Sequence, residues 1–235
     1  KKYLLVACRN LWRNKVFSGI NIVGLSVGLA CCMLILLYLK DEVSFDRFHK
    51  NQAQIFRITS AMTRPDGETN RTGITGKMPG PEFKASIPEI ESYLRIQGNG
   101  YTIRNNNEIF DQSALVVDEN FFSVFSFPLV EGTAAGALNN IHSVVLTEAT
   151  AKKYFGQKKA VGQVLQLKNG DVFEPFVVTA VAKTIPQNSS IQFEMLVPMK
   201  YEDSKNNDTE WVNFYLNTFV VLRQGADWKK VAAKF

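Results

Sequence analysis

Histidine, the side chain that catalytic and metal sites use most often, occurs only twice in this chain, at His49 and His142. Neither stands at a spacing typical of metal ligands. Asp46 and His49 lie one helical turn apart, and we interpret them as a solvated pair, because a metal site needs three or four ligands. Residues 24–28 match the G-x-S-x-G pattern of serine hydrolases, but their apolar surroundings offer neither the required strand nor a histidine partner.

Other catalytic patterns are missing from the sequence as well. It contains neither the P-loop pattern nor the G-x-G-x-x-G pattern of dinucleotide-binding proteins. Its acidic residues form no pairing that sequence alone would assign to acid–base chemistry. We therefore expect no enzymatic activity, no bound metal and no cofactor.

The longest uncharged stretch of the chain covers residues 16–39, between Lys15 and Lys40. Its 24 residues would reach about 36 Å as a helix, enough to cross a hydrocarbon core of about 30 Å with some tilt. A cleaved signal peptide has a shorter apolar core and a small-residue cleavage site. The stretch therefore predicts an uncleaved transmembrane helix.

Charge indicates how this helix is oriented. The chain carries 27 basic and 22 acidic residues, a net charge of +5. Residues 1–15 hold five of the basic residues and no acid, which leaves 22 of each sign in the rest of the chain. The positive-inside rule places residues 1–15 in the cytoplasm and residues 40–235 on the other side of the membrane. A domain with balanced charge has no basic surface for phosphates, so we expect no nucleic-acid partner.

Residues 1–15 have the pattern of an amphipathic helix at the membrane interface. Apolar residues recur at helical spacing from Leu4 to Val16, while basic residues share another face. We expect this helix to lie along the inner leaflet, either as a simple anchor or as a surface that also touches a cytoplasmic partner. The predicted interface residues are Lys2, Arg9, Trp12, Arg13 and Lys15.

The predicted transmembrane helix contains small and polar residues that a plain anchor does not need. Gly24 and Gly28 form a GxxxG pattern, and Asn21 and Ser26 are further polar positions. Small residues let helix backbones approach closely, and an asparagine can form hydrogen bonds across a helix interface. The pattern favours packing against other membrane helices, with a lone anchor in the bilayer as the alternative.

Residues 40–235 contain no cysteine, because Cys8, Cys31 and Cys32 all precede them. An exported region without thiols fits the bacterial periplasm, and its length is sufficient for a real hydrophobic core. Many short apolar runs between turn residues, with few helical patterns, predict an α+β domain. The predicted organisation is a cytoplasmic helix over 1–15, a transmembrane helix over 16–39 and a periplasmic domain over 40–235.

Strands and turns can be placed along this domain from its apolar runs. The apolar run VVTAVA predicts a central strand in the sheet. We expect a loop over 64–80 and turns at 98–100 and 105–107. The predicted strands cover 55–62, 90–97, 101–104, 108–117, 143–146, 163–168, 172–183, 193–197 and 214–222.

Helix starts are predicted from capping residues. Thr147 and Asp227 each precede a short helical pattern, and Pro81 suits the first turn of a helix that ends near Ile87. Asp118 is predicted to cap a short aromatic helix. The phenylalanines of that segment are assigned to the core: Phe121, Phe122, Phe125 and Phe127.

Several of these stretches resemble one known family in the same order along the chain. RNLWRNKVFSGINIVGLSVGLA resembles the start of the first membrane helix in MacB-type, FtsX-like permeases of ABC transporters. The other stretches resemble the periplasmic core domain of those permeases. They are DENFFSVFSFPLVEG, VVLTEATAKKYFGQKKAVGQVLQL, FVVTAVAKTIPQNSSIQFEMLVPM and WVNFYLNTFVVL.

The resemblance implies a permease subunit in the bacterial inner membrane, multi-pass at full length, with a large periplasmic domain inserted after its first helix. It implies an ABC ATPase subunit, other permease helices, a dimeric assembly and an optional periplasmic adaptor as partners. ATP-driven movement would pass through the membrane helices to the periplasmic domain, a motion called mechanotransmission. Two other classes stay open from the residues alone: a single-span sensor, and a membrane-anchored periplasmic binding or structural domain.

Overall fold

The computed structural model describes residues 2–106, 108–206 and 208–235, and the chain divides into two compact units, Lys1–Phe45 and Asp46–Phe235. In the first unit, α1 covers Lys2–Arg13 and α2 covers Lys15–Ser44. No residue of α2 is buried, and its mean hydropathy reaches 2.6 over 18 residues, so it is long and apolar enough to cross a membrane. The helix continues beyond Leu39, through the charged residues Lys40, Asp41 and Glu42.

The second unit is a mixed α/β domain, which confirms the predicted fold class. Its helices are α3 Pro79–Ser86, α4 Phe121–Val124, α5 Glu148–Phe155, α6 Met199–Lys205 and α7 Trp228–Ala232, with a 3-10 turn at Gln52–Gln54. Its strands are β1 Ile55–Arg57, β2 Ser60–Thr63, β3 Thr69–Thr72, β4 Ile90–Asn105, β5 Glu108–Val117, β6 Leu129–Glu131, β7 Ser143–Thr147, β8 Val164–Asn169, β9 Val172–Ala182, β10 Met195–Pro198 and β11 Asn217–Leu222.

Six of these strands close into a ring in the order β4, β5, β10, β7, β9, β8 and back to β4. The ring closes where Ile103 of β4 pairs with Leu167 of β8. The first half of β4 pairs with β11 instead, and β11 pairs with β1, so these two strands extend the sheet beyond the ring. The hairpin of β2 and β3 forms a separate sheet.

Alternate side chains of the six ring strands form one buried cluster, as expected for the interior of a small barrel. The alternation of inward and outward side chains is interrupted in β9, where the pairing register with β7 shifts beside Thr179. As a result Val178 faces the ring interior, whereas Ala180 faces the cluster on the outer face of the strands. The interior residues from the strands are Tyr101, Ile103, Ala114, Val116, Val144, Leu146, Leu165, Leu167, Phe176, Val178, Val181, Met195 and Val197.

The aromatic segment after β5 packs on the outer face of these strands. Phe121 is fully buried, stacks on Phe127 at a ring-centroid distance of 5.6 Å and meets Phe193 at 5.7 Å. The core assignment of Phe121, Phe122, Phe125 and Phe127 is confirmed. The cap assignment is wrong: α4 begins after Asn120 without a side-chain cap, because the Asp118 carboxylate accepts hydrogen bonds from Arg95.

Three strand predictions differ from the structure. The predicted strand 55–62 divides into β1 and β2, and the predicted loop 64–80 contains β3, because β2 and β3 pair with each other as a hairpin. The predicted turn at 98–100 is wrong: β4 runs straight through it, and Gly98 and Gly100 pair with Leu115 and Ser113 of β5. Glycine permits a turn without requiring one, and the long partner strand keeps this segment extended. Of the turn predicted at 105–107, Asn107 lies outside the described residues.

Other boundaries follow the prediction. The Thr147 hydroxyl accepts a hydrogen bond from the Thr150 backbone N–H at 3.4 Å, and α5 ends before Gly156, whose φ of +63° lies in the left-handed region. The Asp227 carboxylate accepts from the Lys229 N–H at 2.9 Å and caps α7. β9 lies between β7 and β8, as a central strand should.

Candidate functional site

The predicted packing residues of α2 do not all share one face. At 100° per residue, Asn21, Gly24 and Gly28 fall on one side of the helix, while Ser26 falls on the opposite side. A Cβ atom added at Gly24 or Gly28 would find no atom within 4 Å. This face of α2 is therefore bare and unoccupied by the described part of the chain.

The predicted interface residues of α1 and the start of α2 are exposed where they are described. Trp12 is 74% exposed, and Lys15 Nζ lies 5.2 Å from the centre of its ring. Arg9 and Arg13 stand one turn apart and are exposed as well. The backbone of Lys2 is helical, but its side chain lies outside the described part of the structure.

The two histidines lie in different surroundings. His142 is partly exposed, and its Nε2 atom lies 3.6 Å from the Glu174 carboxylate. His49 is buried among phenylalanines in another part of the domain. Within residues 2–106, 108–206 and 208–235 no group of three histidine, cysteine or acidic side chains is arranged to hold a metal ion. Ser26 of the G-x-S-x-G match lies in the middle of a helix, without the turn that the hydrolase pattern requires.

Arg95 is the centre of a buried ionic network. It is 6% exposed, and its guanidinium donates to the Asp118 carboxylate at 2.6 and 3.0 Å and to Asp203 at 3.1 Å. Lys77 Nζ lies 2.8 Å from the other Asp203 oxygen. Burial alone would lower the pKa of Arg95, but the hydrogen bonds and charge of Asp118 hold it above its usual range. The network joins β4 to α6 through Arg95 and Asp203. Since each of its charges is paired, its arrangement indicates a structural role rather than a catalytic one.

A second polar group, which we call the Asp46 cluster, lies at the very start of the domain. Its members are Asp46, His49, Ser126, Ser189 and Ser190. Asp46 follows Phe45 directly and has a φ of +57°, a left-handed conformation that aspartate tolerates better than most residues. Its backbone N–H donates to the Asn188 carbonyl at 3.0 Å.

The Asp46 carboxylate is held by the loop that precedes β10. The Ser190 backbone N–H donates to Oδ1 at 2.9 Å, and the Ser190 hydroxyl donates to Oδ2. The Ser189 hydroxyl lies 3.3 Å from Oδ1. Hydrogen bonds to an ionised carboxylate are about twice as strong as neutral ones, so this loop fixes the first residue of the domain.

His49 holds the same segment to the chain between α4 and β6. The Ser126 backbone N–H donates to Nδ1 of His49 at 3.1 Å, and the Lys50 N–H donates to the Ser126 hydroxyl at 3.0 Å. The imidazole is 4% exposed, with the rings of Phe48, Phe125 and Phe127 at 4.1 to 5.1 Å.

The acceptor role of Nδ1 places the proton of the neutral ring on Nε2. Nε2 is buried, has no hydrogen-bond partner among the described residues and lies 3.9 Å from Asp46 Oδ1. Burial lowers the pKa of His49, and the nearby charge of Asp46 opposes that shift only in part.

The interpretation of Asp46 and His49 as a solvated helical pair is therefore wrong. The chain leaves the helix after Ser44, and residues 45–48 form turns, so the spacing of these two residues is not helical. The sequence did carry two signals: phenylalanines next to His49 and in the segment 121–127, and the pair Ser189-Ser190 in the loop after Pro186. Neither signal shows by itself that these distant segments meet.

Comparison with known proteins gives a consistent result. The family model described as MacB-like periplasmic core domain matches residues 18–235. A domain of a permease protein from Porphyromonas gingivalis is similar in structure, with a TM-score of 0.67, 22% identity and coverage of 79% of this chain and 80% of that one.

The extracellular domain of the noncanonic ABC-type transporter YknZ from Gram-positive bacteria is similar as well. It has a TM-score of 0.53 and 15% identity, over 75% of this chain and 88% of that one. At these identities the two structures show a shared fold. The comparison with curated proteins finds no significant match.

Proposed function

This chain belongs to the family of MacB-like periplasmic core domains, and on that premise we propose that it is a permease subunit of an ABC transporter that couples ATP hydrolysis by a partner subunit to movement of its periplasmic domain. Residues 1–15 would lie on the cytoplasmic face of the inner membrane, residues 16–39 would span it, and residues 40–235 would lie in the periplasm. The chain itself would carry out no catalysis.

The observation that carries this proposal is the Asp46 cluster. α2 ends at Ser44, and only Phe45 separates it from Asp46, which is fixed through its backbone and its carboxylate. A displacement of α2 along its axis would therefore be transmitted to the domain with little loss, because a single residue lies between α2 and Asp46. A flexible tether of Gly and Ser would absorb the same displacement, and none is present in the sequence between α2 and Asp46.

The proposed partners follow from the same account. An ABC ATPase subunit would supply the energy, and further membrane helices of the permease would pack on the face formed by Asn21, Gly24 and Gly28. Ser26 would contact a helix on the other side of α2. We expect a dimer of permease units, and a periplasmic adaptor is a further candidate partner. α1 would contact lipid through Trp12 and its basic residues.

Membrane topology provides the first test. In a variant with Cys8, Cys31 and Cys32 replaced by serine, a single cysteine is introduced either at Lys2 or at Asp66, which lies at the exposed tip of the β2–β3 hairpin. A membrane-impermeant thiol reagent applied to intact cells with a permeable outer membrane should label position 66 and not position 2. Labelling after cell lysis is the control for reactivity. Labelling at position 2 in intact cells would contradict the proposed orientation.

Copurification tests the proposed partner. The full-length permease, purified from membranes of its own host in mild detergent, should retain an ATP-binding subunit whose hydrolysis is inhibited by vanadate. The isolated chain should hydrolyse no ATP. ATP turnover by the chain alone would contradict the proposal that it carries out no catalysis.

A further inference from the structure

An apolar groove of about 440 Å³ lies beside the edge of the sheet, between β1 and α7. Its floor consists of Ile58, Leu222 and Val231, which are at most 9% exposed. Phe56 and Trp228 form one wall, with their rings stacked at a centroid distance of 6.1 Å. Trp228 is 51% exposed, so the groove is open to solvent and presents an aromatic surface to whatever binds there.

The charged residues that line the groove are arginines. Arg57 is fixed, since its guanidinium donates to the Gly73 carbonyl at 3.0 and 3.1 Å and to the Asn217 side chain. Arg71, in the β2–β3 hairpin, is exposed, and its guanidinium makes no hydrogen bond or ion pair with any described residue. Among the residues that the structure describes, no acidic side chain lines the groove. The groove therefore has positive charge, with one guanidinium free to pair with an anion.

The backbone of β1 adds a third feature. Ile58 N–H donates to Thr218 C=O, and Phe56 pairs with Val220, so these residues direct their backbone groups toward β11. By the alternation of an antiparallel ladder, the N–H and C=O groups of Arg57 point away from β11. In the described chain they meet no other strand. An extended peptide could form hydrogen bonds with such an edge, as in strand addition.

We propose that this groove binds an extended peptide segment in which a large apolar side chain stands next to a carboxylate. The apolar side chain would lie on Ile58 and Val231 beside Trp228, and the carboxylate would pair with Arg71. The backbone of the peptide would meet the open edge of β1 at Arg57. An acyl chain with an anionic head could use the apolar floor and Arg71, but it has no groups to match the backbone edge, so the peptide fits the groove better.

Trp228 provides the signal for a binding experiment. The chain contains three tryptophans, so replacing Trp12 and Trp211 by phenylalanine leaves Trp228 as the only one. The chain is placed in phosphatidylcholine nanodiscs and titrated with the blocked peptide Ac-Leu-Phe-Asp-Leu-NH2. We expect a saturable change in Trp228 emission, and an affinity at least about tenfold weaker for Ac-Leu-Phe-Lys-Leu-NH2. N-methylation of the peptide backbone should weaken binding as well, because it removes a donor to the β1 edge.

Two hairpin variants form a matched pair. Arg71→Gln should weaken binding of the aspartate peptide by about tenfold, whereas Arg64→Gln should leave it unchanged, because Arg64 lies at the hairpin tip and pairs with Glu68 at 3.7 Å. Both positions are exposed, so both variants should fold.

Equal affinity for the aspartate and lysine peptides, or equal effects of the two variants, would overturn the proposal. So would decanoate competing better than the peptide, which would indicate a lipid ligand, or self-association of the chain through the groove in sedimentation experiments. Because these measurements use the chain without an ATPase, their outcome is independent of the proposed transport function.

Discussion

At the scale of single residues, His49 links the protonation of one side chain to the position of the Asp46 segment. Protonation would place a second proton on Nδ1, which now accepts a hydrogen bond from the Ser126 N–H at 3.1 Å. The two donors would then face each other, and the segment would lose its attachment to Ser126. Asp46 is the acidic residue close to the ring, and the other neighbours in contact are the three phenylalanines.

This geometry predicts a pH dependence of stability. Burial lowers the pKa of His49 in the folded chain below its ordinary value of about 6.5. Between the two pKa values the unfolded chain binds more protons, so the free energy of unfolding should fall as the pH decreases from about 6.5 through the folded pKa. Thermal unfolding of the chain in detergent should show a smaller loss of stability between pH 7.5 and 5 for His49→Gln than for the original chain. An unchanged slope in His49→Gln would contradict this interpretation.

Two glycines in the left-handed region should respond differently to alanine. Gly132 has a φ of +85°, and an added Cβ atom would lie 2.5 Å from the Thr179 carbonyl oxygen in β9. Gly67, at the hairpin tip, has a similar φ of +88° but no atom within 4 Å. Gly67→Ala should cost about 1–2 kcal/mol for the backbone conformation, and Gly132→Ala about 1–3 kcal/mol more for the collision. Denaturant unfolding of both variants measures the difference, and equal losses would mean that β6 can move away from β9.

At the scale of elements, the bare face of α2 leads to a prediction about assembly. Leucine at both Gly24 and Gly28 should block close approach of a neighbouring helix and remove about 1–2 kcal/mol of packing, without affecting insertion, because lipid is as apolar as leucine. The double variant should reach the membrane but separate from its partner subunits in native gels. Val27→Leu, at a position of α2 between this face and the face of Ser26, is a control for added bulk. Full assembly of the Gly24→Leu, Gly28→Leu variant would indicate that this face meets only lipid.

Elements with strong local signals were predictable from the sequence. The caps at Thr147 and Asp227 and the uncharged stretch after Lys15 depend on neighbours a few residues away, and their physics is local. The division of the predicted first strand into β1 and β2 could not be predicted from the sequence, because it depends on the pairing of β2 with β3. Asp118 has the residue type and position of a cap, but Arg95, from a distant strand, binds its carboxylate more strongly.

At the scale of the whole molecule, the closed ring of strands was beyond sequence analysis. The alternation of apolar and polar residues along a strand shows that one face of the strand is buried, but it does not show which strands pair with each other. Closure depends on the pairing of Ile103 with Leu167, in which the second half of β4 pairs with β8 while its first half pairs with β11. The Asp46 cluster has the same origin, since it unites residues 46–49, 126 and 189–190, which are far apart in the sequence. The fold class could be predicted, whereas the candidate site could not.

We propose that movement of α2 reaches the periplasmic domain through Phe45 and Asp46. This transmission can be tested in the assembled transporter by inserting Gly-Ser-Gly-Ser between these two residues. The control is the same insertion between Gly170 and Asp171, in the turn between β8 and β9, where an added Cβ at Gly170 meets no atom within 4 Å. Both variants should keep the ATPase activity of the partner subunit, because neither insertion lies near the cytoplasm.

The measurement is the distance between spin labels at position 66 of the two permease copies in the proposed dimer, with ADP and with ATP plus vanadate, in transporters without other reactive cysteines. The unmodified transporter and the control should show a nucleotide-dependent change in this distance. We expect the insertion after Phe45 to abolish the change while ATP hydrolysis continues. A distance change of the original size in that variant would contradict the claim that α2 moves the domain through the Asp46 cluster.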